Sequence, residues 1–152
     1  MATTTFLSNA TINITQSVSG SDVTWDFSDQ ANQCTLTVGS DSLEVTAFGN
    51  TGHQFAPGLQ SVDVSITFFL SYGGATTSAT AEVEAALSAM VGTGTTKLVI
   101  SPSGATESLT NPEYTITNCM LADFTPINST VGEIATVTCS FVGGTWARDI
   151  TA

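Results

Sequence analysis

The stretch LEVTAFGNTGHQFAPGLQSVDVSITF, residues 43–68, decides the fold, because strand patterns lie on both sides of a glycine-spaced loop. The second strand pattern alternates apolar and polar residues, and its apolar face holds Val62, Val64, Ile66, Phe68 and, just beyond the stretch, Leu70. Alternation with period two predicts a β-strand with one buried face. The loop holds Phe48 and Phe55, and the pattern leaves open whether these rings meet a neighbouring subunit or fold back onto their own sheet.

The same alternation recurs along most of the chain. It predicts further strands around Val23 to Phe27, around Cys34 to Val38, and over residues 95–101, 114–124 and 134–141. One segment has helical spacing instead, because Val83, Ala86, Leu87 and Met90 stand at i, i+3, i+4 and i+7. We therefore expect a mainly β protein: a sandwich or barrel of antiparallel strands with one amphipathic helix over about residues 79–91.

Composition indicates one acidic domain over residues 1–152. The net charge is −11, only 10% of residues are charged, and Lys97 and Arg148 are the only bases. Tight nucleic-acid binding needs several cations on one face, so it is excluded as a function class. The segment after Met1 has no basic region and no apolar run, which predicts a cytoplasmic product without a membrane anchor.

Few residues are available for catalysis or metal binding. His53 is the only histidine and lacks a nucleophile motif, and Cys34, Cys119 and Cys139 lie within apolar strand patterns. Cys119 and Cys139 are either free thiols or a disulfide, which the sequence leaves open. The aspartates Asp22, Asp26 and Asp29 lack the ligand order of a calcium loop. We expect no enzyme activity, no cofactor and no metal.

Several segments in collinear order resemble the major tail, or tail-tube, proteins of long-tailed bacteriophages. These segments are SDQ…CTLTV (28–38), DSLEVTAFGNTG (41–52), GLQSVDVSITFFLSY (58–72), AEVEAALSAMVG (81–92), KLVISPSGATESLTNPEYT (97–115) and FTPINSTVGEIATVTCSF (124–141). The resemblance implies a tail-tube-like fold and a structural virion protein, assembled in the host cytoplasm, whose hexameric rings stack around a DNA-conducting channel. Its partners would be further copies of itself and other virion proteins, and DNA would pass without specific binding because an acidic wall repels it.

The resemblance also gives expectations for individual residues. Residues 1–14 would form an N-terminal assembly arm, and a subset of five acids would face the channel: Glu44, Asp63, Glu107, Asp123 and Glu133. Glycines allow a loop to change shape and buried aromatics carry binding energy, so the loop is a candidate subunit interface. The interface candidates are Phe48, Gly49, Asn50, Thr51, Gly52, His53, Gln54 and Phe55, together with Phe6 and Leu7.

Two other functions remain open. One is a capsid decoration or minor capsid protein that stabilises the phage head as a trimer on the same type of fold. The other is an adhesive or carbohydrate-binding domain, in which Trp25, Tyr72, Tyr114 and Trp146 would provide faces for stacking.

Overall fold

The computed structural model describes residues 9–18 and 20–151, which form eight strands and one helix. In chain order these are β1 (Thr11–Val18), β2 (Ser21–Asp26), β3 (Ala31–Glu44), β4 (Phe55–Phe69), α1 (Val83–Met90), β5 (Thr96–Ser101), β6 (Glu113–Asp123), β7 (Thr136–Val142) and β8 (Thr145–Asp149). All strand pairs are antiparallel. The mainly β class and the single helix are as predicted from the sequence.

The strands form one sheet in the order β2-β1-β5-β6-β7-β4-β3, and β8 also pairs with β6. Strand β6 connects the two halves of this sheet. Its residues 113–117 pair with β8 and its residues 120–123 pair with β7, so β7 and β8 follow each other along one edge of β6. Gly143 and Gly144 separate the two strands, and both have a positive φ, which interrupts the ladder and lets the chain bend there.

Gly144 is required at this bend for two reasons. Its φ of +83° lies in the left-handed region, and a Cβ built on it would lie 2.2 Å from the carbonyl oxygen of Thr117. Across the ladder, Asn118 of β6 also has a positive φ of 58°. The sheet therefore bends on both strands at the same level, which joins its two halves around a common interior.

The inward faces of both halves enclose one hydrophobic core. Strand β4 contributes the predicted face, in which Val62, Val64, Ile66 and Phe68 are buried. Phe27, directly after β2, packs edge-on against Phe68 with ring centroids 5.5 Å apart, so the two halves touch here. Each large apolar side chain that is fully buried contributes about 1.5–3 kcal/mol to the free energy of unfolding.

Helix α1 covers part of this core and is shorter than the predicted range of 79–91. Its apolar positions Val83, Ala86, Leu87 and Met90 are all fully buried, as the spacing predicts. It begins late because the Ser78 hydroxyl accepts the backbone N–H of Thr80 and holds a turn there. It ends early because Val91 is extended and forms a bridge with Leu121.

Three sequence expectations about boundaries need correction. Residues 11–14 of the predicted arm belong to β1, where Ile12 and Ile14 are buried, and residues 1–8 lie outside the described part of the chain. Phe55 is the first residue of β4, opposite Glu44, rather than a loop residue. Strand β8 was not predicted, because the glycine pair before it has the pattern of a turn and only five residues follow in the strand.

Candidate assembly interface

The hairpin of β3 and β4 is much longer than the core that it covers. Its strands pair from Ala31↔Phe68 out to Glu44↔Phe55, whereas β7 pairs with β4 only from Asp63 onward. Alternate burial along β4 begins at Val62, and all residues from 40 to 55 are exposed. Residues 40–61 thus extend past the buried part of β4, and in the described part of the chain their strands have a neighbour on one edge only; we call them the distal hairpin.

A tight turn presents Phe48 at the tip of the distal hairpin. The N–H of Asn50 donates to the carbonyl of Ala47 at 3.1 Å, and Gly49 has a φ of +95°. A positive φ at the third turn position is typical of a type II turn, which glycine adopts without strain. The Asn50 side-chain oxygen also accepts the N–H of Ala47 at 2.6 Å. The turn fixes the backbone on both sides of Phe48, whose side chain is fully exposed.

The other large apolar side chains of the distal hairpin are exposed as well. Besides Phe48, these are Leu43, Val45, Phe55 and Leu59. The predicted interface residues from Phe48 to Phe55 therefore lie together at the tip, and neither aromatic ring folds back onto the core. The predicted interface residues Phe6 and Leu7 lie outside the described residues. Leu43, Val45 and Leu59 were not predicted as interface residues, because strand alternation alone suggests that such residues have a buried face.

Glu44 and His53 form a hydrogen bond across the base of this tip. The distance from His53 Nδ1 to Glu44 Oε1 is 2.6 Å, and the Thr46 hydroxyl donates to the same carboxylate oxygen at 2.9 Å. The hydrogen bond from His53, followed by that from Thr46, lowers the pKa of Glu44 below its ordinary value of 4.5. His53 also lies 6.3 Å from Phe55, measured between ring centroids. The only histidine of the sequence is therefore part of the hairpin tip.

The five predicted channel acids lie in different places. Asp63 and Asp123 lie on the same outward face, in the half formed by β3, β4, β7 and the end of β6. Asp63 shares this face with Ser65, which stands two residues further along β4. Ser65 pairs with Ser140 of β7, and Ser140 pairs with Asp123 of β6. Glu44 belongs to the distal hairpin, Glu133 to the connection between β6 and β7, and Glu107 to the connection between β5 and β6. The structure thus brings two of the five together on one sheet face.

That outward face lacks cations and is mixed in polarity, because Val142 and Met120 are successive cross-strand partners of Asp63 on it. Cross-strand partners on it include Thr35 with Ser65, Thr37 with Asp63, and Thr67 with Thr138, whose hydroxyls are hydrogen-bonded at 3.0 Å. Both bases of the chain are in the other half, since Lys97 is in β5 and Arg148 is in β8. The face combines hydroxyls and a few carboxylates with these apolar side chains, and it offers no fixed positive charge to a polyanion.

A second exposed apolar segment connects β6 to β7. Ile127, Val131 and Ile134 are all at least 79% exposed, and the Tyr72 hydroxyl donates to the carbonyl of Pro126 at 2.7 Å. This connection lies next to Phe69, at the end of β4 that is opposite to the distal hairpin. This surface was not predicted from the sequence, although apolar residues between Pro126 and Gly132 are the same kind of signal as the loop around Phe48.

A groove lies between the edge of β3 and strand β8, with a volume of about 470 Å³. Its walls include Leu36 and Val38 of β3, Ile100, Tyr114, and Trp146 and Arg148 of β8. The Trp146 ring stacks with Tyr114 at 6.5 Å between centroids, and its indole N–H donates to Gln60 Oε1 at 3.0 Å. Two of the four aromatics proposed for sugar stacking thus come together, whereas Trp25 is completely buried and presents no face.

The three cysteines are free thiols, so the open question of a disulfide between Cys119 and Cys139 is resolved in favour of two buried thiols. Burial raises the pKa of Cys34 and of Cys119 to about 11, and that of Cys139 to about 12. A thiol with such a pKa is almost entirely protonated at neutral pH and is a poor nucleophile.

Metal-ligating side chains are scattered in the described part of the chain. Over residues 9–18 and 20–151, no three His, Cys, Asp or Glu side chains come close enough to hold a metal ion. Asp26, one of the three aspartates considered for calcium, instead accepts hydrogen bonds from the N–H and the hydroxyl of Ser28.

None of the helices in the same residues is long and apolar enough to cross a bilayer.

The fold is that of proteins found in phage-type tails and related injection machines. No family model and no curated protein sequence matches the chain. Solved structures match it over nearly its full length at low identity. One is a chain of the sheath/tube terminator of the extracellular contractile injection system PVC in its extended state, with a TM-score of 0.65, 12% identity, and coverage of 97% of this chain and 98% of that chain.

Two further matches come from different particles. A chain of the anti-feeding prophage cap, the AFP tube terminating cap, has a TM-score of 0.61 and 12% identity over 99% of this chain and 95% of that one. A chain in the virion of a native gene transfer agent particle has a TM-score of 0.59 and 12% identity over 93% and 95%. At these identities the likeness establishes the fold, which is tail-tube-like as the sequence predicts.

Proposed function

We propose that this chain is a structural subunit of a phage-type tail tube, which polymerises as stacked hexameric rings around a channel that conducts DNA. The observation that carries the proposal is the distal hairpin, which keeps five large apolar side chains off the core and exposed. A projecting apolar surface of this kind is a liability in a monomer and an interface in a polymer. The fold supports the proposal, since the solved structures that share it are parts of tails, tubes and their ends.

The sheet edges are consistent with a ring. Strands β2 and β3 stand at the two ends of the strand order and have a partner on one side only among the described residues. Unpaired edges favour association with another sheet, and a closed ring that pairs β2 with β3 covers both of these edges, while the outer edge of β8 stays outside that pairing. Six subunits are proposed because another structure with this fold, the tail of an empty gene transfer agent particle, has C6 symmetry (TM-score 0.52, 13% identity).

The outward face with Asp63 and Asp123 is the proposed wall of the channel. It presents hydroxyls and carboxylates beside the apolar Met120 and Val142, and both cations of the chain lie in the other half of the sheet. Binding of DNA to protein is driven largely by release of counterions when cations neutralise phosphates, so a wall without cations lets DNA slide. The N-terminal residues, including Phe6 and Leu7, keep their proposed role as an arm that contacts a neighbouring subunit.

A second candidate is a terminator ring, which closes a tube and does not lengthen it. The matches to a sheath/tube terminator and to a tube terminating cap favour this role, because both proteins occupy the end of a tube. The capsid decoration role predicted as an alternative would instead require trimers and no channel.

Electron microscopy of the overexpressed protein, combined with sedimentation velocity, tests these roles. Tubes with sixfold symmetry are the expected result for a tube subunit. Sixfold rings that do not lengthen at high concentration would assign the terminator role, and discrete trimers would assign the decoration role. A protein that stays monomeric at all concentrations would contradict the proposal.

A further inference from the structure

The groove between β3 and β8 has a cation in its lining, because Arg148 is one of the residues that line it. Within residues 9–18 and 20–151, Arg148 forms no salt bridge with a carboxylate. The chain has 13 acids and two bases, so Arg148 is one of the few positive charges that an acidic surface could meet. A guanidinium at the rim of an apolar surface favours a ligand that has both an apolar part and a carboxylate.

The groove also has the features of a receptor for an aromatic side chain. Tyr114 and Trp146 stack on each other, and the Trp146 indole is fixed by its hydrogen bond to Gln60. Leu36, Val38 and Ile100 complete an apolar lining. Its volume of about 470 Å³ is within the range of about 300–1,000 Å³ that is typical of binding clefts. Rigid aromatic walls of this kind commonly receive the anchor residues of an interface.

The distal hairpin has the complementary chemistry. Its tip presents Phe48 on a fixed turn, with Phe55 beside it, and its strands carry the carboxylates Asp41 and Glu44. Residues 40–61 contain no Lys or Arg. The hairpin is therefore apolar at the tip and acidic along its stem, whereas the groove is apolar with a cation at its rim.

We propose that the groove between β3 and β8 is the receptor for the distal hairpin of a neighbouring copy, with Arg148 facing the hairpin carboxylates. This inference rests on the proposed function and specifies the contact within it. Each copy carries one hairpin and one groove, which are different surfaces. Contacts between different surfaces produce a closed ring or an open polymer rather than a dimer that saturates both.

Charge reversal with rescue tests this contact. Arg148→Glu places a carboxylate where the hairpin acids dock, and we expect self-association measured by sedimentation velocity to weaken by about 10-fold or more. Lys97→Glu is the matched control, since it changes the net charge equally and Lys97 itself is not among the residues that line the groove. We expect its self-association to stay within about 2-fold of the wild type. Adding Asp41→Lys or Glu44→Lys to Arg148→Glu should restore at least part of the loss.

The results separate this inference from the proposed function. Suppose that the wild type forms tubes or rings, which supports the proposed function. If Arg148→Glu then weakens assembly no more than Lys97→Glu does, or if neither hairpin variant rescues it, the groove is not the receptor. If the wild type does not self-associate, the proposed function itself fails.

Trp146 fluorescence gives a second readout, because Trp25 is completely buried and provides a constant background. We expect a Trp146 emission shift when wild-type protein assembles. The contrary result is a Trp146 emission that shifts when residues 1–8 are deleted from the monomer but does not shift on assembly. It would assign the groove to the chain's own N-terminal segment and overturn the inference.

Discussion

The two ends of the β3–β4 hairpin have similar sequences and opposite environments. Near β7, β4 buries Val64, Ile66 and Phe68, whereas at the far end of the same strands Leu43, Phe55 and Leu59 are exposed. Both ends contain apolar residues in paired strands, so strand pairing alone does not determine burial. An apolar side chain of this hairpin is buried only where the other half of the sheet packs against it. Along β4 this is the case from Val62 onward. The comparison indicates that the near end stabilises the subunit and the far end is available to a partner.

The largest expected effect is at the near end. Phe68→Ala removes a completely buried ring that packs against Phe27, so we expect the free energy of unfolding to fall by about 3–5 kcal/mol. Phe48→Ala removes a fully exposed ring of the same size, and we expect a change within about 0.5 kcal/mol. Urea unfolding of non-assembled protein measures both values. Similar losses for the two variants would show that the far end belongs to the core.

The second-largest effect is expected at the bend between β7 and β8, where the two halves of the sheet join. Gly144→Ala forces a Cβ against the Thr117 carbonyl at a positive φ, so we expect it to lower the free energy of unfolding by about 3 kcal/mol or more. Gly143→Ala is the matched control, because its φ is +80° and its added Cβ would meet no atom within 4 Å. It should cost only about 1–2 kcal/mol. Equal losses in thermal or urea unfolding would mean that the close approach at Gly144 relaxes freely.

The smallest effect is at the tip and depends on pH. The His53 hydrogen bond lowers the pKa of Glu44, so its stabilisation of the tip is complete above pH 4.5 and is lost as pH falls through the lower folded value. We expect His53→Ala to raise the pKa of Glu44 toward 4.5 in an NMR titration, and Thr46→Ala to raise it less. The melting temperature should not change, because the tip makes no contribution to the core. An unchanged pKa of Glu44 in His53→Ala would show that the hydrogen bond between the two side chains does not form in solution.

The sequence predicted the near end well and the far end only in part. Alternation identified the buried face of β4 and helical spacing identified the buried face of α1, because both patterns record which side meets the core. The aromatic residues Phe48 and Phe55 stood out because a glycine-spaced loop cannot bury them easily. Leu43, Val45 and Leu59 did not stand out, because an exposed apolar strand residue has the same pattern as a buried one.

Long-range geometry explains the other omissions. Strand β8 depends on Gly143 and Gly144 fitting against the bend of β6 at Asn118, which no local pattern records. The groove combines Leu36 with Trp146, residues that are far apart in sequence and come together only through the sheet order. The separation of Asp63 and Asp123 from the other three acids follows from the strand register, which the sequence alone does not determine.

The double variant Phe48→Ser/Phe55→Ser tests the central claim, that the distal hairpin is an assembly surface, most directly. Leu109→Ser is the matched control, because Leu109 is also exposed but lies in the connection between β5 and β6. Sedimentation velocity and electron microscopy measure assembly, and urea unfolding of the monomer measures folding. We expect the double variant to fold with wild-type stability and to lose assembly, while Leu109→Ser retains both. A double variant that assembles like the wild type, or whose monomer unfolds, would contradict the claim.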